Sequence, residues 1–124
     1  MATIRSVVPM VHVADVERSI RFYEKLGFRL LNTFTSDGSS TPAWAALESD
    51  GAGFMVTRAR EPVAASPQSV LFYLYADDVD GMRASLEQQG LAPGPMAYPF
   101  YAPRGEFRLT DPDGYALMIT HTGS

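Results

Sequence analysis

Apolar and polar positions along the chain run through the same pattern twice. An apolar run from Val7 to Val13 ends at Asp15, and a second, from Val70 to Tyr75, ends at Asp78. Each aspartate can cap the free backbone N–H groups of a following helix. In the first round Val16, Ile20, Tyr23 and Leu26 recur at helical spacing before Gly27, which can stop the helix in the left-handed conformation. In the second, Val79, Met82, Leu86 and Gly90 do the same. Short stretches of strand character follow near Phe28 to Phe34, Ala43 to Glu48 and Gly53 to Thr57, and again from Leu91 onward, Glu106 to Asp111 and Tyr115 to Thr120. Asp50-Gly51 and Asp113-Gly114 supply the turns between the last two strands of each round. The predicted order is βαβββ, twice.

A single spacing of 63 residues relates the two rounds. It brings Asp15-Val16 onto Asp78-Val79, Gly27 onto Gly90, Asp50-Gly51 onto Asp113-Gly114, Met55 onto Met118 and Thr57 onto Thr120 without a gap. Residue character also tracks, as in Trp44 with Phe107 and Val56 with Ile119. Asp-Gly and Asp-Val are common pairs, but chance does not hold one offset from the first strand to the last.

The fold class expected is therefore α+β: two tandem βαβββ modules, residues 1–62 and 63–124, forming one domain with a curved eight-stranded sheet around a cleft. Successive residues of a strand point to opposite faces, so alternation sorts the side chains. Leu117 and Ile119, Phe107 and Leu109, and Val70, Phe72 and Leu74 are assigned to the helix side. The cleft side then receives Ala116, Met118 and Thr120, with Arg108 and Thr110, with Leu71, Tyr73 and Tyr75, and with Val8, Met10 and His12 from the first strand. A slip of one residue would exchange every face.

Composition narrows the chemistry. At 124 residues and 46% hydrophobic, the chain can bury one core and not two independent ones. Its 14 acidic and 10 basic residues give a net charge of −4, and the cations are scattered, which argues against a nucleic-acid partner. The absence of cysteine removes disulfides and thiolate chemistry. No signal peptide or membrane span is legible at the N-terminus, so a cytoplasmic protein with no membrane partner is the expectation. No glycine loop for phosphate is found, and Ser19, Ser69 and Ser85 lack an identifiable base. Asp15, Asp78, Asp111 and Asp113 read as caps and turn formers.

Taken together, VADVERSIRFYEKLGF (Val13 to Phe28), FRLTDPDGYALMI (Phe107 to Ile119) and the weaker ADDVDGMRASLEQQG resemble the vicinal-oxygen-chelate superfamily of glyoxalases, ring-cleaving dioxygenases and bleomycin-resistance proteins. In its metal-using members, the resemblance implies a divalent ion held by histidine and carboxylate ligands from the first and last strands of the modules. Carried onto this chain, those positions fall on Val8, Leu71, Met55 and Met118, none of which suits a hard cation. His12 and His121 are single imidazoles without a paired carboxylate at ligand spacing, and read as surface or strand-end residues.

The resemblance implies two functions. One is a metal-independent binding protein, similar to the bleomycin-resistance group, that sequesters an antibiotic or other natural product with no cofactor. The alternative is a lyase, isomerase or dioxygenase-type enzyme with a displaced metal or none, working through His12, Tyr73, Tyr75 or Arg108. The candidate ligand-binding residues are Met10, His12, Tyr73, Tyr75, Arg108 and Met118 on the cleft face, with Tyr98, Phe100 and Tyr101 as a lip from the proline-rich loop. Arg108 either anchors an acceptor or pairs with Glu106 or Asp111 at the rim. A homodimer is expected from the resemblance and from the apolar loop Met96 to Tyr101.

Overall fold

The computed structural model of the protein describes residues 2–63 and 70–122; Ser69 lies outside them. The chain divides into two compact units, Met1–Val63 and Ala64–Ser124. The first contains β1 (Met10–Val13), α1 (Val16–Lys25), β2 (Arg29–Phe34), β3 (Trp44–Ser49) and β4 (Ala52–Arg58). The second contains β5 (Leu71–Ala76), α2 (Val79–Gln88), β6 (Glu106–Thr110) and β7 (Ala116–His121). Neither helix is long and apolar enough to cross a membrane.

Both helices begin at the predicted caps. The Asp15 carboxylate accepts the Arg18 backbone N–H at 3.2 Å, and that of Asp78 accepts the Gly81 N–H at 2.9 Å. Both end where glycine takes positive φ, +100° at Gly27 and +85° at Gly90. These features satisfy backbone groups that a helix end otherwise leaves open.

In the first unit the strand order is β1-β4-β3-β2, with β1 parallel to β4 and the other pairs antiparallel. Val11, Val13, Ala45, Leu47, Phe54 and Val56 are buried, as are Val16, Ile20, Phe22, Tyr23 and Leu26 of α1 and its C-cap. Tyr23 lies at the centre of this core, tilted on Phe54 with ring centroids 4.7 Å apart and edge-on to Phe28 at 6.0 Å. The apolar run predicted from Val7 forms a strand only from Met10. Pro9 has no N–H to give a ladder, although its carbonyl accepts from Met55 N at 2.9 Å. Val7, 83% exposed, is left outside the core.

The second unit departs further from the predicted repeat. Its sheet has three strands in the order β5-β7-β6, with β5 parallel and β6 antiparallel to β7. The strand expected from Leu91 onward, and with it the eighth strand of the predicted sheet, is reduced to an isolated bridge between Ala97 and Glu106. Pro93, Pro95 and Pro99 explain this, since a proline cannot donate to a ladder. Gly94 and Ala97 carry the remaining hydrogen bonds to β6, through Arg108 O and Glu106 O.

The two Asp-Gly turns also differ. Asp50 and Gly51 both have positive φ, 46° and 86°, as a two-residue hairpin with matching twist requires. At the corresponding place in the second unit, Asp111 makes the turn with its side chain, accepting the backbone N–H groups of Asp113 and Tyr115, each at 2.9 Å.

Alternation follows the predicted parity. Phe107, Leu109, Leu117 and Ile119 are buried while Arg108 and Thr110 are exposed. Three positions depart from it: Val70, expected on the helix side, precedes β5 and is 54% exposed, whereas Ala116 and Thr120, expected on the cleft side, are buried, Thr120 with its hydroxyl bonded to Gly105 O at 3.0 Å. This parity generates a stability prediction. Leu117→Ala should cost about 2–5 kcal/mol, whereas Tyr75→Ala should cost no more than about 1.5 kcal/mol, the order of one lost ring pair. Denaturant unfolding of both variants checks it, and a reversed order would mean that the strand is out of register.

Candidate ligand-binding faces

Each sheet carries its helix on one face and leaves a second set of side chains on the other. In the first unit, cross-strand pairing aligns Met10 with Met55, Ala46 and Asn32, and aligns His12 with Thr57, Trp44 and Phe34. Residues paired across strands share a face. This surface is apolar and partly open: Met10 is 49% and Phe34 60% exposed. Strand parity places both predicted residues, Met10 and His12, on it. Met55, Trp44 and Phe34 were not predicted for it, although the same alternation applied to β3 and β4 would have found them.

In the second unit, the corresponding face has three rows. Leu71 stands beside Ala116 and Thr110; Tyr73 beside Met118 and Arg108; Tyr75 beside Thr120 and Glu106. Tyr73 and Tyr75 are stacked, their centroids 6.3 Å apart and their planes 29° from parallel. A pair of exposed tyrosine rings offers a flat apolar surface edged with hydroxyl groups, suited to a planar ligand.

Arg108 belongs to this face and is exposed. The salt bridge weighed for it does not form among the described residues. One candidate partner, Asp111, is buried and uses its carboxylate to hold the β6–β7 turn. The other, Glu106, is committed elsewhere: its Oε2 accepts the Tyr101 hydroxyl at 3.1 Å. A guanidinium left in this way can present its planar donors to a guest.

Glu106 is the residue that sequence reasoning missed, having been considered only as a rim partner for arginine. Its even parity with Arg108 was the available signal. The side chain is 6% exposed, and Oε1 is buried with no hydrogen-bond partner. Tyr101 ties Glu106 to the stacked pair. Its phenol pKa is pushed up to about 12, first by side-chain hydrogen bonding with Tyr73, then by the hydrogen bond to Glu106, burial and the nearby carboxylate charge.

The predicted aromatic lip is split. Tyr101 joins Tyr73 and Glu106, and Phe100 is 95% exposed with its ring edge-on to Tyr101 at 5.5 Å. Tyr98 instead lines a cavity of about 360 Å³ beside the start of α2, with Asp77, Asp78, Val79, Asp80, Arg104 and His121. His121 ends β7 and is buried, and its Nε2 accepts the Arg104 backbone N–H at 3.2 Å.

The superfamily metal finds no suitable donor set at its aligned positions. Val8 and Leu71 are hydrocarbon side chains, 43% and 47% exposed, and Met55 and Met118 offer only thioethers. No group of three or more histidine, aspartate or glutamate residues able to hold a metal occurs among the described residues.

This architecture and sequence place the chain in a known family. It belongs to the glyoxalase/bleomycin resistance protein/dioxygenase superfamily, whose profile matches residues 5–119. Among solved structures it is similar to TnmS3, an antibiotic-binding protein from Streptomyces sp. CB03234, at 25% identity over 99% of both chains with a TM-score of 0.75. The fold is also that of a bleomycin-binding protein complexed with bleomycin, at 18% identity over 97% of this chain and 100% of the other, TM-score 0.72. TioX from Micromonospora sp. ML1 matches at 22% identity over 94% of this chain and 98% of its own, TM-score 0.75. No curated protein matches the sequence significantly.

The Tyr101 phenol supplies a pH prediction. Because its folded-state pKa lies above the ordinary value of 10.0, its contribution to stability is complete below pH 10 and is lost as pH rises through about 12. Unfolding measured across that range should fall less steeply for Tyr101→Phe than for the parent. Equal slopes would mean that the hydrogen bonds to Tyr73 and Glu106 do not hold the phenol in solution.

Proposed function

We propose that the protein binds a small planar molecule, an antibiotic or other natural product, without a metal, and sequesters it unchanged in the cytoplasm. The observation that carries this reading is the stacked Tyr73–Tyr75 pair on the open face of β5, with Arg108, whose guanidinium forms no ion pair among the described residues, in the row of Tyr73. The rings would carry the plane of the ligand, and Arg108 would take an acceptor at its edge. Met118, between Tyr73 and Arg108, gives a polarisable floor that adapts to the shape above it. Phe100 and Tyr101 would cover the ligand from the loop. Met10 and His12 contribute the comparable surface of the first unit, and Tyr98 the cavity beside α2.

Two further lines support it. The antibiotic-binding protein TnmS3 shares the fold over 99% of both chains. The aligned metal-ligand positions hold valine, leucine and two methionines, which supply neither a Lewis-acid site nor a base. Sequestration needs only affinity, and this face offers aromatic area and the Arg108 guanidinium.

The test is a thermal-shift screen of planar antibiotics, with bleomycin included, run with chelator and with added divalent metals. A ligand that binds the folded state raises the melting temperature by mass action. For any hit, Tyr73→Ala and Tyr75→Ala should each weaken binding by about 0.5–1.5 kcal/mol, or roughly two- to tenfold, with the parent fold retained. The ligand should be recovered intact, and the shift should be the same in chelator. Recovery of a transformed product, or a shift that requires metal, would show an enzyme instead.

We also propose a homodimer, on the strength of the large apolar side chains left in solvent, among them Ile4, Val7, Phe34 and Phe100. Sedimentation at micromolar concentration should give about twice the chain mass of 13.6 kDa. A species of 13.6 kDa would refute the dimer.

A further inference from the structure

Glu106 combines three properties seldom found together. Its carboxylate is buried, one of its oxygens has no partner among the described residues, and it stands in the same row of the open face as Tyr75. An unmade hydrogen bond at a buried acceptor costs about 1–3 kcal/mol, and more for a charged one. Native proteins keep few such groups, and a site that receives a donor from a guest is one reason to keep one.

The neighbours of Glu106 do not satisfy it. Thr120, paired with it across the strands, turns its hydroxyl to Gly105 O at 3.0 Å. Tyr101 reaches only Oε2. Arg108, two residues along the same strand, makes no ion pair with it.

Resting on the reading of this face as a ligand site, we infer that Glu106 selects for a cationic group on the ligand, an ammonium or amidinium whose N–H bonds to the free carboxylate oxygen while Tyr73 and Tyr75 carry the attached ring. A charged donor suits this position better than a neutral one, because hydrogen bonds between ionised partners are about twice as strong. Tyr101, 58% exposed in the turn before β6 and bonded to Oε2, is the side chain that would have to yield for the guest to reach Oε1. Arg108 then serves the opposite end of the ligand, and the face distinguishes its two edges by charge.

Three fluorescent tricycles of similar size provide the probes: proflavine, a planar cation; acridone, neutral; and acridine-9-carboxylate, an anion. Fluorescence titration of the parent at pH 7 should show proflavine binding at least tenfold more tightly than acridone. Glu106→Gln, which keeps shape and the Tyr101 acceptor, should abolish that preference and leave acridone binding unchanged within twofold. The wild-type comparison needs no variant, so a folding defect in Glu106→Gln cannot decide the matter. If acridone or the anion binds in a manner lost in Tyr73→Ala while proflavine shows no preference, the role of Glu106 is refuted and the ligand face stands. If proflavine preference survives Glu106→Gln in a folded protein, Glu106 is likewise refuted. If none of the three binds, both the face and the inference fall.

Discussion

The parity of the central strand β7 constrains everything else in the second unit. Leu117 and Ile119 are almost wholly buried, and α2 packs on β5 and β7, so the strand cannot slip by one residue without placing those side chains in solvent and Met118 in the core. Because β5 and β6 are both registered on β7, one packing decision fixes the direction of six other side chains. Leu71, Tyr73 and Tyr75 on one flank and Glu106, Arg108 and Thr110 on the other all share the face of Met118, where Glu106 alone of the six is buried. The proposed binding surface is thus a by-product of core packing, and its strand register is set by the hydrocarbon contacts beneath it.

The internal repeat explains how the units came to share this logic and also where they part. Both keep the aspartate cap, the apolar helix stripe and the glycine stop, because each of these answers a local requirement of the backbone. The loops answer no such common requirement. In the first unit the segment after α1 makes the full strand β2, six residues paired with β3. In the second, prolines in the corresponding stretch remove N–H donors, and the chain makes a single bridge at Ala97. The residues freed from pairing include Phe100 and Tyr101, which reach the open face in place of a regular edge strand.

Elements whose signals are local were legible in the sequence. Asp15, Gly27, Asp78 and Gly90 mark the helix ends with side-chain chemistry alone, and strict alternation sorts Phe107 from Arg108 without knowledge of the fold. Three features were not legible, each for a nonlocal reason. Val70 obeys the alternation but falls before the ladder begins, so nothing buries it. Tyr98 lies beside α2, and with Met96 it fills the space a side chain at Gly105, at φ +108°, would need. Glu106 looks like any charged strand residue until Tyr101, five positions earlier, folds over it. The burial of a polar group depends on which loop covers it, and periodicity carries no information about that.

The treatment of charge on this face follows from the same geometry. Glu106 and Arg108 stand on one strand and one side, with Cα atoms roughly 7 Å apart. At that spacing long side chains of opposite sign would ordinarily meet. Here the carboxylate is held back by Tyr101, in a row with Thr120, while the guanidinium projects from the row of Met118. Their charges are therefore kept apart instead of being spent on each other, with Met118 on β7 and the two phenol rings on β5 beside them across the sheet. In this unit the aligned metal-ligand positions hold Leu71 and Met118, so the charged groups of the face are this separated pair. Recognition by two opposite charges at fixed distance is directional, whereas recognition by aromatic area alone is not. The hydrogen bond from Tyr101 to Glu106 is what holds the carboxylate in its place beside Thr120.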